Sequence, residues 1–277
     1  MVSSILLFGA TSLLGFRLAT IFPKTVLPFG SPGNTAKSVR QWPALQLCNA
    51  TWITKVFQQT QSKTLLYCHA ICDVPKCEAD PNWAYEMNVH QLDRVIKSLP
   101  ESTRLVYVSS DHVFGGDGVY TEESCPCPIS IYGKTRVDAE YLVLKRPGSL
   151  VVRAGLGIGR SPDGRTGHLD WLRYRSQQKL PITIIQDEYR SVVWQHHLAI
   201  RIMQLAQSGE MGISHVPATR AVSRVDLANY LIRKFQIPAT FKIETCRQQL
   251  YPHLGRVELR SVYKGALFKP LDSVLDS

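Results

Sequence analysis

The segment Ser4-Ile-Leu-Leu-Phe-Gly-Ala-Thr-Ser-Leu-Leu-Gly15 decides the fold. Residues 5–8 are all apolar, as expected of a central parallel strand that is buried on both faces. A turn with a glycine at each end, Gly9 and Gly15, follows, and an apolar-periodic stretch then continues to Ile21. This order of strand, glycine-containing turn and helix is typical of the first unit of a parallel sheet.

Short apolar strands and helical patterns alternate over the next 140 residues. Further strands are predicted at residues 25–29, 65–68, 105–108 and 150–152. Helices are predicted at residues 52–59, 83–97 and 131–144. The alternation predicts an α/β fold with a Rossmann-type, doubly wound parallel sheet and right-handed crossovers.

The rhythm of the chain becomes less regular after Arg153. Helical patterns follow at residues 168–178, 194–206 and 225–235, with a brief strand at 182–185. We therefore predict a nucleotide-binding domain over residues 1–153 and a smaller C-terminal substrate-binding lobe over residues 154–277, some of whose elements return to the sheet.

The charge of the chain is uneven. The protein has 277 residues, 44% of them apolar, and a formal net charge of +10. Residues 1–140 contain 12 Lys+Arg and 12 Asp+Glu, whereas residues 141–277 contain 20 and 10. No run of five basic residues occurs, and no basic stripe alternates with aromatic residues, which argues against a nucleic-acid partner. An anionic substrate or an acidic protein partner stays open.

Neither the cysteines nor the histidines form a recognisable metal motif. The seven cysteines include no paired Cys-x-x-Cys arrangement, so we expect reduced thiols and no zinc module. His196 and His197 lack a third ligand at suitable spacing, and no metal site is predicted. The apolar N-terminus is interrupted by Arg17 and too short to span a membrane. We expect a cytoplasmic protein without a membrane partner.

The first turn also fits a dinucleotide-binding fingerprint. Gly9 would permit the tight turn, Gly15 would let the helix pack closely on the strand, and the helix start would face a pyrophosphate. The middle position, usually glycine, is Ser12, whose side chain restricts backbone approach. A purely structural turn stays open. The predicted cofactor contacts in this turn are Gly9, Thr11, Ser12, Leu13, Leu14 and Gly15.

The loop after the second strand points to the form of the cofactor. Gly30-Ser-Pro-Gly-Asn-Thr-Ala-Lys37 and Arg40 include no acidic residue that would bind a free ribose 2′-hydroxyl. Small polar and basic residues there favour a 2′-phosphate. NADPH is therefore favoured over NADH, with Ser31, Lys37 and Arg40 as contacts; NADH and a merely solvated loop stay open.

Two segments carry the candidate chemistry. They are Leu105-Val-Tyr-Val-Ser-Ser-Asp-His-Val-Phe-Gly-Gly116 and Pro128-Ile-Ser-Ile-Tyr-Gly-Lys-Thr-Arg-Val-Asp-Ala-Glu140. A strand ending in hydroxyls is followed by a helix that contains Tyr132 and, four positions later, Arg136. Residues at i and i+4 share one helix face, so both side chains can reach one ligand. Such an arrangement suits carbonyl reduction.

With these segments the chain resembles the extended short-chain dehydrogenases/reductases, above all the dTDP-4-dehydrorhamnose reductase group. Other stretches of the chain are similar to the family in the same order: residues 72–78 with 83–89, 151–153, 187–191 and 269–277. The resemblance covers nearly the whole chain.

The resemblance implies roles for individual residues. Ser110 would polarise a substrate carbonyl and Tyr132 would donate the proton. Arg136 stands where the family has a lysine that binds the nicotinamide ribose and lowers the tyrosine pKa. Arginine keeps the charge, but its head is larger and its charge more spread out. Lys134 points away on a helix and cannot replace it.

The resemblance also implies contacts outside this triad. Further cofactor contacts would be Cys68, His69, Ala70, Asn88 and Ser109. Substrate contacts would be Asp111, His112, Val113, Phe114, Arg153, Tyr189 and Arg190. Arg190 suits a diphosphate because arginine binds such groups bidentately. His112 stands where relatives usually have tyrosine, and it is equally readable as a loop histidine bonded to backbone.

Three functions follow from these features. The first is NADPH-dependent reduction of a 4-keto nucleotide sugar. The second, indicated by Ser12 and Arg136, is a catalytically weak NADP-binding regulatory subunit, similar to the beta subunit of methionine adenosyltransferase. The third is a nucleotide-sugar epimerase or dehydratase, since fold does not determine reaction; a dehydratase would be expected to add carboxylates beside Ser110, where Asp111 is the only adjacent candidate. The sequence leaves open whether the protein forms a homodimer.

Overall fold

The computed structural model of the protein describes residues 4–33 and 36–276. Its strands are β1 Ile5–Phe8, β2 Val26–Phe29, β3 Thr64–Tyr67, β4 Arg104–Ser110, β5 Gly118–Tyr120, β6 Leu150–Ala154, β7 Leu156–Ile158, β8 Thr183–Ile185, β9 Tyr189–Trp194, β10 Gly212–Val216, β11 Ala221–Ser223, β12 Lys242–Glu244 and β13 Arg256–Leu259. Its α-helices are α1 Leu13–Ile21, α2 Ala50–Thr60, α3 Val74–Ala79, α4 Pro81–Tyr85, α5 Gln91–Ser98, α6 Ile131–Leu144, α7 His168–Gln177, α8 Gln195–Gln207 and α9 Arg224–Lys234.

The main sheet has six parallel strands in the order β10-β6-β4-β3-β1-β2. The chain adds β2 on one side of β1 and then places β3, β4, β6 and β10 on the other. This reversal creates a crevice at the carboxyl ends of β1 and β3, where ligands bind in open α/β sheets. The predicted doubly wound α/β fold is confirmed.

The central strand of this sheet is shielded from solvent. Leu6, Leu7 and Phe8 of β1 are 0% exposed, as predicted from their unbroken apolar run. One face of the sheet packs against α1 and α8, and the other packs against α2, α5 and α6. Burial on both faces explains why these strands lack the alternating pattern of a half-exposed sheet.

A second sheet lies beyond the first and supplies the other side of the crevice. Its strands are ordered β11-β9-β13-β5, and β7 pairs with β9. β5 comes from the predicted nucleotide-binding half, whereas β10 of the C-terminal half completes the main sheet. The domain boundary after residue 153 stays a prediction, because the chain crosses between the two sheets on both sides of it.

The predicted helix over residues 83–97 is interrupted. α4 ends at Tyr85, a π-helical turn spans Glu86–His90, and α5 begins at Gln91. The wider turn contains Asn88, whose side chain accepts from the Ile71 amide at 2.8 Å and donates to Thr135 Oγ1 at 3.0 Å. Inserted π turns are frequent at functional sites.

Neither a membrane span nor a metal cluster is found in the described residues. None of the helices there is both long and apolar enough to cross a bilayer. Within residues 4–33 and 36–276, no group of three or more His, Cys, Asp or Glu side chains is placed to hold a metal ion.

Candidate active site

The glycine turn after β1 is tightly packed. Gly9 has φ +86°, in the left-handed region, and a Cβ there would collide with the backbone of Cys68 and His69 at the end of β3. A Cβ on Gly15 would collide with the carbonyl of Gly9. The backbone therefore requires glycine at both positions.

α1 begins at Leu13, five residues after the carboxyl end of β1, where the crevice lies. Ser12 is the N-cap of this helix, and its Oγ accepts from the Gly15 amide at 3.0 Å. Serine thus stands where glycine is usual, and its side chain caps the helix. Its hydroxyl can still donate a hydrogen bond to a ligand. The first-turn N–H groups have no partner within a helix and suit an anion.

The end of β2 contacts the same turn. Thr11 Oγ1 accepts from the Ser31 amide at 2.8 Å, and a Cβ on Gly30 would lie 2.7 Å from Thr11 Cγ2. Lys37 and Arg40 are both exposed. Lys37 lines a surface cavity of about 710 Å³, and Arg165 lines it from the loop between β7 and α7. Arg40 is not among the residues that line this cavity.

The segment after β3, residues 68–71, is hydrogen-bonded to the side chains of Asn88 and Gln91. His69 is buried, and its Nε2 lies 3.1 Å from Gln91 Oε1. Burial lowers the pKa of His69, although the hydrogen bond that its Nε2 donates to Gln91 Oε1 opposes this effect. The polar atoms of His69 and Asn88 thus bind other parts of the protein, whereas Cys68 and Ala70 are half-buried beside them.

Ser110 and Tyr132 meet where β4 ends and α6 begins. Ser130 caps α6, with its Oγ accepting from the Gly133 amide at 3.0 Å, and so sets the helix start at Ile131, one residue before Tyr132. Tyr132 is 5% exposed and lies close enough to Ser110 for that hydroxyl to act on its pKa. The Ser110 hydroxyl itself donates to Asp111 Oδ1 at 3.1 Å. Burial raises the pKa of Tyr132, while the charge of Arg136 and the Ser110 hydroxyl work in the opposite direction.

Arg136 lies one helical turn beyond Tyr132 and is 2% exposed. Its Nη2 donates to the Val108 carbonyl, and its guanidinium lies 4.6 Å above the Tyr107 ring and 6.0 Å from the Tyr132 ring centre. Its Nε and Nη1 are buried and have no hydrogen-bond partner in the part of the chain that the structure describes. Lys134 is exposed. Arg136 is thus a buried cation beside the tyrosine with two donors left over.

Asp111 and Arg190 form a buried ion pair across the crevice. Arg190 Nε donates to Asp111 Oδ2 at 2.6 Å, and its Nη2 donates to Asp111 Oδ1. The Arg190 side chain is 6% exposed and the Asp111 side chain is 0% exposed. The predicted role of Arg190 as a diphosphate clamp is not supported, because its fork already binds a carboxylate. Asp111 is for the same reason not the free carboxylate beside Ser110 that a dehydratase would be expected to have.

A second buried pair accounts for two other predicted contacts. Arg153 Nη2 donates to Glu140 Oε2 at 2.7 Å, and both side chains are at most 3% exposed. Ser109 donates its hydroxyl to the same carboxylate. Arg153 and Ser109 therefore serve the interior between α6 and the main sheet, which corrects the expectation that they face substrate and cofactor.

Of the remaining residues predicted to contact the substrate, two lie in the core and two are half-buried. Val113 and Phe114 are 0% exposed and pack with Leu254, Val257 and Leu259 in the core of the second sheet. Their predicted contact with a substrate is not supported, because they have no open face. His112 and Tyr189 are half-buried, and the His112 ring centre lies 5.1 Å from that of Tyr132.

The sequence analysis missed the residues that complete this polar cluster. Glu188 binds Arg190 at 3.4 Å, Arg224 at 3.1 Å and His253 at 3.0 Å. Burial raises the pKa of Glu188, but the hydrogen bond from His253 and the two arginine charges outweigh it and hold the pKa well below its usual value. Glu188 lies within the stretch 187–191 that the sequence analysis singled out, although it was not assigned a contact. Arg224 carries no sequence signal, because its partner is 36 residues away.

Acid is expected to weaken the fold through buried histidines. Burial, opposed by Glu122, lowers the pKa of His215 to about 4, and this side chain is 0% exposed. The unfolded chain takes up this proton near pH 6.5, so stability is lost as the pH falls from about 6.5 to 4, by about 3 kcal/mol for this group. Urea unfolding at pH 7, 5.5 and 4.5 measures the slope. His215→Asn should flatten it and His90→Asn, at an exposed site, should not; equal slopes in all three proteins would contradict the assignment.

Comparison with known proteins adds independent information. Residues 3–264 match the family model described as the RmlD substrate binding domain. The chain is 29% identical over 153 residues to methionine adenosyltransferase 2 subunit beta of Rattus norvegicus, covering 54% of this chain and 45% of that protein. It is 28% identical over 170 residues to dTDP-4-dehydrorhamnose reductase of Mycolicibacterium smegmatis, covering 59% and 51%. The matches span about half the length of these relatives.

A solved structure has the same fold over almost the entire chain. The dTDP-4-dehydrorhamnose reductase of Bacillus anthracis in complex with NADP superimposes with a TM-score of 0.82 at 20% identity. The match covers 99% of this chain and 96% of that one. At this identity the likeness concerns the fold.

Proposed function

The chain belongs to the RmlD substrate-binding domain family, and from that premise we propose that it is an NADPH-dependent reductase of a 4-keto nucleotide sugar. The observation that carries the proposal is the contact between Ser110 and Tyr132 with the buried Arg136 beside them. A hydroxyl pair next to a desolvated cation is suited to proton transfer onto a carbonyl oxygen.

The residues present fit a nicotinamide dinucleotide. Gly9 and Gly15 allow the close backbone packing that brings the start of α1 to the carboxyl end of β1, and the Nε and Nη1 atoms of Arg136 are buried without a hydrogen-bond partner among the described residues. The start of α1 would hold the pyrophosphate and Arg136 the nicotinamide ribose. When bound, reduced nicotinamide supplies the hydride. NADPH is proposed over NADH because Ser31 and Lys37, with no acidic residue, follow β2.

The protein groups then perform the proton chemistry. Tyr132 donates its Oη proton to the substrate oxygen, and Ser110 hydrogen-bonds the same region. The cation of Arg136 favours the resulting tyrosinate, because an opposite charge nearby stabilises the charged form. Without that cation, burial alone would raise the pKa of Tyr132 further and disfavour the loss of its proton.

The direct test combines binding and turnover. Purified protein is titrated with NADPH and NADH, and NADPH oxidation is then followed with a dTDP-4-keto-6-deoxy sugar. We expect tighter binding of NADPH and oxidation that depends on the sugar. Absence of oxidation above the level of a Tyr132→Phe control would overturn the reductase proposal for that substrate.

A catalytically weak, NADP-binding regulatory subunit is the second candidate. It is favoured by similarity to methionine adenosyltransferase 2 subunit beta and by arginine at position 136. If the site is adapted to arginine, Arg136→Lys should lower turnover by about tenfold or more, because lysine lacks the planar fork that stacks on Tyr107. Lys134→Arg on the exposed face of α6 is the matched control. A large gain in turnover with Arg136→Lys would instead indicate a decayed site and favour the regulatory subunit.

A further inference from the structure

The imidazole of His112 lies between the candidate catalytic tyrosine and the buried ion pair. Its ring stands edge-on to Tyr132 at 5.1 Å between centres, and its Nε2 lies 3.3 Å from Arg190 Nη1. Its backbone amide donates to Ser110 Oγ at 3.3 Å. The ring is therefore held between Tyr132 and Arg190, and the backbone of the same residue is fixed to Ser110.

Arg190 determines which nitrogen of His112 carries the proton. A guanidinium can only donate hydrogen bonds, so Nε2 must accept, and the proton of the neutral ring is on Nδ1. The charges around the ring are Arg190 and Arg224 on one hand and Asp111 and Glu188 on the other. Burial and then Arg190 lower the pKa of His112 to about 4, so the ring is neutral at physiological pH.

The Nδ1–H group of His112 has no hydrogen-bond acceptor in the described part of the protein. Nδ1 is shielded from solvent and has no hydrogen-bond partner among residues 4–33 and 36–276. Buried donors are nearly always satisfied, and an unsatisfied one costs free energy. An unused donor beside Ser110 and Tyr132 indicates an acceptor that arrives with a ligand.

We propose that His112 Nδ1–H binds an uncharged oxygen, a hydroxyl or carbonyl of the sugar ring, next to the carbon that is reduced. The inference rests on the reductase function proposed above and adds a substrate class to it. Arg190 and Arg224 are balanced by Asp111 and Glu188. The other buried cation near Tyr132, Arg136, is assigned above to the nicotinamide ribose. A carboxylate buried beside His112 would therefore have no cation of its own to compensate it. Neutral keto sugars are therefore accepted and uronic acid derivatives are disfavoured.

Two substitutions test whether the Nδ1–H donor of His112 is required or only a side chain of similar size. The amide nitrogen of His112→Asn can take the place of Nδ1, whereas His112→Gln reaches the position of Nε2 and leaves no donor at Nδ1. With NADPH and a dTDP-4-keto-6-deoxy sugar, we expect KM within about threefold of the parent for Asn and raised about tenfold for Gln. The Kd for NADPH and the melting temperature show whether either variant is misfolded. Equal KM values for the parent and Gln proteins would overturn the inference.

The tautomer is measured independently of turnover. Nitrogen-15 NMR of the imidazoles, assigned with His112→Asn, should show a neutral His112 with Nδ1 protonated at pH 7, and its Nδ1–H signal should shift when the keto sugar is added to NADP-loaded protein. A protonated Nε2, or no shift with a sugar that turns over, would overturn the inference. Failure of the reductase proposal looks different: the tautomer is as expected, but no keto sugar is reduced or bound, and the sugar contact falls with it.

Discussion

Tyr132→Phe is expected to lower kcat for reduction of the keto sugar by about a thousandfold while the Kd for NADPH stays within about twofold. The substitution removes only the hydroxyl that would donate the proton, and positioned general acids contribute about 10²–10⁴-fold. The ring that packs against His112 remains. Stopped-flow measurement of NADPH oxidation and a fluorescence titration of NADPH give the two values.

A second tyrosine on the same helix provides the control. Tyr141 is 62% exposed, and Tyr141→Phe should leave both kcat and the Kd unchanged. If Tyr132→Phe retained more than about a tenth of the parent kcat, another group would have to deliver the proton, because a general acid contributes at least about 10²-fold.

Glu140→Ala is expected to lower the free energy of unfolding by about 3–5 kcal/mol. The substitution leaves the guanidinium of Arg153 buried without its carboxylate, and an uncompensated buried charge costs about this much. Ser109 also loses the acceptor of its hydroxyl. Urea unfolding followed by circular dichroism measures the difference.

An exposed helical ion pair is the matched comparison. Asp93 and Lys97 on α5 are 30% and 73% exposed, and Asp93→Ala should change stability by at most about 1 kcal/mol. The double substitution Glu140→Leu with Arg153→Met should recover much of the loss, since an apolar pair of similar size often replaces a buried ion pair well. A loss below about 1 kcal/mol for Glu140→Ala would show that the interior admits water at Arg153.

Much of the architecture was predictable because it depends on neighbours along the chain. The apolar run of β1 and the glycines at 9 and 15 are local signals, and the structure has the strand, turn and helix where they indicate. The spacing of Tyr132 and Arg136 is equally local, since one helical turn separates them. The π turn at Glu86–His90 was not predictable, because its hydrogen bonds join Asn88 to segments 17 and 47 residues away.

The partners of Arg153 and Arg190 could not be predicted from neighbours along the chain. The family resemblance implied Arg153 and Arg190 as substrate contacts, and the net charge of +10 left an anionic substrate open. In the folded chain Arg153 binds Glu140, 13 residues before it, and Arg190 binds Asp111, 79 residues before it. Both arginines are thereby neutralised and enclosed.

Local pattern thus determined the sheet, its glycine turn and the shared face of the tyrosine and its cation, because backbone geometry and burial act over a few residues. Tertiary structure alone decided which charges are free to meet a ligand, since a buried charge must be paired with whatever the fold brings beside it. It also left the Nδ1 proton of His112 without a partner among residues 4–33 and 36–276, because the orientation of that ring depends on an arginine from a different sheet.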